Sequence, residues 1–186
     1  MSDKIRIVGI VGSLRNGSYN RALMNAAVEL APENATLEIA EISEIPVYNQ
    51  DDEKKMPASA MEFKRKVKEA DAILFATPEY NYSIPGGLKN AIDFASRPYT
   101  DNSWEGKPVA IMSASNGMLG ASRAQYHLRQ TFVFLNMHAL NKPEVIVPSV
   151  AQKIGADGRL ADEHTRKKIK ELLEALVAFT ITLQKK

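Results

Sequence analysis

Apolar positions recur along this chain with two periods, and the alternation between them sets the expected architecture. Ile5–Val11, residues 72–76 (Ala-Ile-Leu-Phe-Ala) and residues 108–113 are short, nearly continuous apolar runs, the mark of strands buried on both faces. Residues 36–42 alternate instead, with Leu37, Ile39 and Ile42 set against Glu38 and Glu41, as expected of a strand nearer a sheet edge. Residues 144–147 predict a fifth strand. Between the strands the period lengthens to that of a helix. Leu23, Ala26, Ala27 and Leu30 share one face over residues 20–31, which Pro32 stops. Leu88, Ala91, Ile92 and Ala95 share another, in a helix that begins near Pro85, a residue suited to a first turn. Further helices are predicted over Ala58–Glu69, residues 123–135 and residues 162–183. Residues 43–57 form a long loop and residues 97–106 a polar connector carrying Trp104.

Strands that alternate with helices, without internal repeats, predict an α/β fold in one domain over residues 1–186. Five strands point to a flavodoxin-like, doubly wound parallel sheet of order 2-1-3-4-5. Its switch point lies between strands 1 and 3. That order brings the loops after strands 1, 3 and 4 around one crevice, and these are the loops of unusual composition. The third-strand loop, Thr-Pro-Glu-Tyr-Asn-Tyr-Ser-Ile-Pro-Gly-Gly-Leu-Lys-Asn over residues 77–90, is the stretch around which the chain is organised.

The first loop, Gly-Ser-Leu-Arg-Asn-Gly-Ser-Tyr-Asn over residues 12–20, runs from a strand into a helix amino terminus, where free N–H groups and the helix dipole favour an anion. Ser13, Ser18 and Asn20 add side-chain donors, Arg15 adds a charge, and Ser18 or Asn20 also suits the helix cap. Phosphate is the guest these groups suit. Gly9-Ile-Val-Gly12 is not the dinucleotide fingerprint, and no Gly-Lys-Ser/Thr marks an NTPase loop. A monophosphate there, with aromatic and amide walls from Pro78–Tyr82 and with Ser113, Ser115 and Gly117 beyond, points to a planar nucleotide such as FMN.

Composition narrows the alternatives. A formal charge of +2, evenly spread, gives no argument for nucleic acid. The chain has no cysteine, which removes disulfides, thiolate catalysis and cysteine-held metals. His127, His138 and His164 have no partner at metal-ligand spacing, and Asp51-Asp52-Glu53 reads as a solvated loop, so no metal is expected. The amino terminus lacks the apolar region of a signal peptide, and no apolar run approaches the roughly 20 residues of a membrane span. The expected location is the cytoplasm.

The first loop, together with Pro78-Glu-Tyr-Asn-Tyr-Ser-Ile-Pro-Gly-Gly-Leu-Lys-Asn-Ala-Ile-Asp93, closely resembles the NADPH-dependent FMN reductase family. Within it the chain looks most like the bacterial quinone reductases also described as chromate reductases. Gln125-Tyr-His-Leu-Arg-Gln130 and Asn141-Lys-Pro-Glu144 resemble the same subgroup. The resemblance implies that Ser13, Leu14, Arg15, Asn16, Gly17, Ser18, Tyr19 and Asn20 hold the FMN phosphate and ribityl chain. It implies that Pro78, Glu79, Tyr80 and Asn81 flank the isoalloxazine and that Ser115 contacts it. It implies NADPH or NADH as donor, quinones and, with the chromate-reductase subgroup, chromate as acceptors, and a homodimer or homotetramer with FMN near an interface. The helices at Pro85 and Arg123, with Phe94, Tyr126, Phe132 and Phe134, are the expected contact. An electron carrier of the flavodoxin type, or a reductase acting mainly on free flavin or azo compounds, is the alternative. No side chain is expected to serve as an essential acid or base. Glu79 is expected to anchor its loop, and Tyr82 to shape the pocket that donor and acceptor share in turn.

Overall fold

A computed structural model describes residues 4–185. In chain order the elements are β1 (Ile5–Val11), α1 (Tyr19–Glu29), β2 (Ala35–Ala40), α2 (Ala58–Glu69), β3 (Ala72–Thr77), α3 (Gly86–Ala95), β4 (Pro108–Ala114), α4 (Ser122–Leu135), β5 (His138–Ala139), β6 (Val145–Val147) and α5 (Glu163–Gln184). The strands are parallel throughout, in the order β2-β1-β3-β4-β5, with β6 also paired to β4. The expected order stands, but its fifth position is divided. β5 pairs the start of β4 (Pro108↔His138) and β6 pairs its end (Ala114↔Val147). Between them Asn141-Lys-Pro143 leaves the ladder, since proline has no N–H to give it. Only the second half carries an apolar run, and the two-residue β5 escaped the pattern.

Successive residues of β3 face opposite sides, which divides the core in two. Ala72, Leu74 and Ala76 pack with Leu23, Met24, Leu172 and Leu176, under α1 and α5. Ile73 and Phe75 pack with Phe63, Val67, Leu88, Ile92, Leu128 and Phe132, under α2, α3 and α4. The supposedly polar connector contributes to the second layer. Trp104 is fully buried, its ring lies 5.9 Å from that of Phe75, and its indole N–H donates to the Ile92 carbonyl at 2.9 Å. Its single polar atom is thereby satisfied, so the large ring can be buried without loss.

The loop over residues 43–57 is a fixed strap rather than a free segment. The Asn90 carboxamide accepts from the Tyr48 N–H and donates to the Pro46 carbonyl, both at 2.7 Å. The Tyr48 hydroxyl meets Glu53 and Arg97, and the Ser59 hydroxyl holds the Glu44 carbonyl. The strap is thereby tied to α3, whose amino terminus opens at the carboxyl end of the sheet.

Candidate functional site

Three loops meet at the carboxyl ends of β1, β3 and β4. The first leaves β1 through Gly12, whose N–H donates to the Ala76 carbonyl at 2.8 Å. Ser18 then caps α1, its hydroxyl accepting from the Arg21 N–H at 3.2 Å. Ser13 is buried, and among the described residues its hydroxyl has no hydrogen-bond partner. Two arginines lie nearby with different occupations. Arg21 is engaged bidentately with Glu41 at 2.7 and 2.6 Å, and that contact holds the Glu41 carboxyl below its usual range. Arg15 lies 5.0 Å from the Tyr19 ring centroid and has no anionic partner among the described residues. Asn20 has a structural task. It donates to the Ala114 carbonyl and accepts from the Ala114 N–H, both at 3.0 Å, and so ties α1 to the end of β4.

The second loop begins Pro78-Glu79 and closes a two-residue turn. Tyr80 and Ser83 exchange backbone hydrogen bonds, both of 3.0 Å, around Asn81 (φ 50°) and Tyr82 (φ 66°). Two consecutive left-handed residues make this a type I′ turn. Glu79 is an anchor, as expected, though more of its bonding is to a side chain than to backbone. Arg123 Nε donates to Glu79 Oε1 at 2.6 Å, and the Ala124 N–H donates to Oε2 at 3.3 Å.

In the third loop Ser115 accepts from the Gly117 N–H at 3.1 Å. Ser113, expected to face a ligand, is fully buried. Its hydroxyl donates to the Gly120 carbonyl at 2.7 Å and accepts from Gln125 at 2.8 Å, so its one proton is spent within the fold. Gly120 is required where it stands: at φ 54° an added Cβ would come within 2.7 Å of Ile146 and 2.9 Å of the Pro148 backbone.

Together the loops enclose an open cleft of about 250 Å3. The first loop contributes Ser13, Arg15, Ser18, Tyr19 and Asn20, the second Pro78, Glu79 and Tyr80, and the third Ser115 with Asn116. Asn116 carries no signal of this role in the sequence. Its side chain accepts from the Ala151 N–H at 2.9 Å, a contact across 35 residues that no local pattern signals. Gly117, like Ser113, does not line the cleft, and four more of the expected residues lie off it. Leu14 is largely exposed and packs towards Gly87, and Asn16 and Gly17 line an adjoining groove with Asn25 and Ile154, which shares Ser18 and Tyr19 with the cleft. Asn81 is at the exposed tip of the turn. Tyr82, expected to shape the pocket, lies with its ring against Arg123, and of the two tyrosines in this turn it is Tyr80 that borders the cleft.

The residues present fit FMN. One end of the cleft offers an unpaired arginine, two serines and a helix amino terminus, a donor set for phosphate. The carboxylate lining it, Glu79, is already neutralised by Arg123. The other end is aromatic and rich in backbone groups. A larger depression of about 420 Å3 lies at the opposite end of the strands, but there Arg65 is spent on Glu62 and Glu69. No cluster of three or more histidine, aspartate or glutamate side chains is placed to hold a metal among the described residues. No helix among them is long and apolar enough to cross a membrane.

The profile of a family described as NADPH-dependent FMN reductase matches residues 5–152. An NAD(P)H-dependent FMN reductase of Pseudomonas aeruginosa is 52% identical over 177 residues, 95% of either chain. An NAD(P)H:quinone oxidoreductase of Solanum tuberosum is 47% identical, covering 98% of this chain and 96% of its own. Among solved structures, the flavoenzyme NAD(P)H:(acceptor) oxidoreductase FerB of Paracoccus denitrificans superposes with a TM-score of 0.88 at 36% identity, over 96% of this chain and 98% of its own.

Proposed function

The chain belongs to the NADPH-dependent FMN reductase family, and from that premise we propose that it is a cytoplasmic quinone reductase, taking electrons from NADPH or NADH through bound FMN. The observation that carries the reading is the pairing of free phosphate donors, Arg15 and Ser13, with the aromatic turn at Tyr80 across one open cleft. Relatives named for quinones, from Solanum tuberosum, Arabidopsis thaliana and Pseudomonas putida, support the acceptor class.

When bound, FMN would accept hydride from the nicotinamide and return it to the acceptor. The chain's own groups bind and orient. Arg15, Ser13, Ser18 and the first turn of α1 would hold the phosphate, and the backbone of Pro78–Asn81 with Ser115 would meet the ring. A volume of about 250 Å3 suits the phosphate and sugar-chain end rather than the whole nucleotide, which leaves the ring at the open mouth. Donor and acceptor would occupy that mouth in turn. Glu79 is committed to Arg123 and Ala124 and is not free to move a proton. Transfer between stacked rings asks for distance and alignment, and the proton a reduced quinone needs can come from water at an open site.

Chromate is a further acceptor under this reading, taken at the same open mouth of the cleft. We also infer a homodimer or homotetramer, assembled through α4, which exposes Tyr126, Val133 and Phe134.

Steady-state kinetics tests the proposal. The purified protein should show a flavin absorbance spectrum, and NADPH varied against a naphthoquinone should give parallel double-reciprocal lines. A protein that fails to bind FMN, or lines that intersect, would overturn it. Free flavin and an azo dye, run in the same assay, rank the acceptors.

A further inference from the structure

We infer that Arg123, which no motif of the sequence singles out, is a positioning residue for the turn over residues 79–83 and so for the ring end of the cleft. The inference rests on the flavin reading above. The turn has an intrinsic difficulty. Asn81 suits the first left-handed position of a type I′ turn, but the second is usually glycine, and Tyr82 occupies it at φ 66°. A bulky residue there carries strain that the surroundings must offset.

The first two turns of α4 supply what is needed. The Arg123 guanidinium carbon lies 3.4 Å from the Tyr82 ring centroid, close enough for a cation–π contact. The same guanidinium donates to Glu79, whose side chain is 8% exposed. One arginine therefore holds the two residues on either side of the Tyr80-Asn81 pair. Glu79 reciprocates. α4 starts from Ala121 in the left-handed conformation (φ 67°) with no side-chain cap, and the Glu79 carboxylate accepts the orphan Ala124 N–H instead. A carboxylate at a helix amino terminus is also favoured by the dipole. One helical turn further on, His127 Nδ1 lies 3.0 Å from the Ser83 hydroxyl. Residues 79, 82 and 83 are thus fastened to α4, and Tyr80 is left facing the cleft.

An ornamental surface ion pair would have no bearing on ligand binding, whereas a positioning role predicts a specific pattern. In full-length holoprotein loaded with FMN or with riboflavin, flavin fluorescence on dilution reads the affinity of each. Arg123→Met and Tyr82→Leu should each weaken FMN and riboflavin alike, by about fivefold, the scale of a partly desolvated cation–π contact. The turn faces the ring that both flavins share. Tyr82→Phe, which keeps the ring face, should recover most of the affinity that Tyr82→Leu loses. The double variant should be no weaker than Arg123→Met alone, because the two side chains act as one unit. Unchanged affinities in both single variants, a loss confined to FMN, or losses that multiply in the double variant would overturn the inference. If Arg123→Met does not fold, Tyr82→Leu, which leaves the Glu79 pair intact, decides alone. A wild-type protein that bound neither flavin would defeat the flavin reading itself, a result distinct from any of these.

Discussion

Arg15 and Arg21 stand six positions apart, and what distinguishes them is the company each keeps. Arg21 is matched by Glu41, so its charge is spent within the fold. Arg15 lies beside an aromatic face and has no anionic partner among the described residues, so its charge is available to a ligand. Replacing it by alanine should therefore act on the phosphate alone. A charge-assisted hydrogen bond is worth ~1.5–3 kcal/mol, so Arg15→Ala should weaken FMN by roughly tenfold or more and leave riboflavin almost unaffected. Titration of both flavins against the variant checks this, and equal losses would place the phosphate elsewhere. The two asparagines that close the recognisable motifs make the opposite point. Asn20 and Asn90 sit beside the site, yet each uses both ends of its carboxamide on backbone, one on β4 and one on the strap. A motif can hold architecture and ligand together, and only the partners show which residue serves which.

At the scale of elements, the ends are what the sequence shows best. α5 begins where Asp162 accepts from the N–H and the hydroxyl of Thr165, at 2.8 and 2.6 Å. The Thr165 hydroxyl, followed by its N–H and then Lys153, holds the Asp162 carboxyl below its usual range. A depressed folded value means that the ionised cap stabilises the protein above the ordinary aspartate value of about 3.9. That contribution is lost as pH falls through the lower folded value. Asp162→Ala should accordingly cost about 1 kcal/mol at neutral pH. Urea unfolding at pH 7 and at pH 3 should reveal the difference at the first and a smaller one at the second; a constant deficit would show that charge is not the cause. α4 is the contrary case. Its cap comes from Glu79, across 45 positions of chain, so nothing in its own first turn announces where it begins.

For the molecule as a whole, the two-layered core explains why α4 matters beyond the cleft. Of the four aromatics expected at a contact between subunits, Phe94 and Phe132 belong to the core, while Tyr126 and Phe134 remain exposed and Val133 extends their stripe. One face of α4 completes the core and fastens the turn, and the other presents apolar surface beside the site. Light scattering at micromolar concentration should give at least twice the 20.6 kDa of one chain. Phe134→Glu should shift the protein towards the monomer, since a charge at the centre of an apolar contact loses hydration without gaining a partner. A wild-type mass near 20 kDa would remove the oligomer from the proposed function.

The sequence by itself determined the sheet order, the helix faces and the convergence of three loops. These follow from periodicity and from contacts between near neighbours, which composition records directly. Tertiary structure decided the burial of Trp104, the division of the fifth strand position, the retirement of Ser113 and Asn20 to structural duties, and the fastening of Glu79 and Tyr82 to Arg123. The Glu79–Arg123 bond spans 44 positions and the Asn20–Ala114 pair 94. Side chains so far apart in the chain carry no mutual pattern. Whether a polar group serves a ligand or the fold depends on which partner reaches it first in three dimensions.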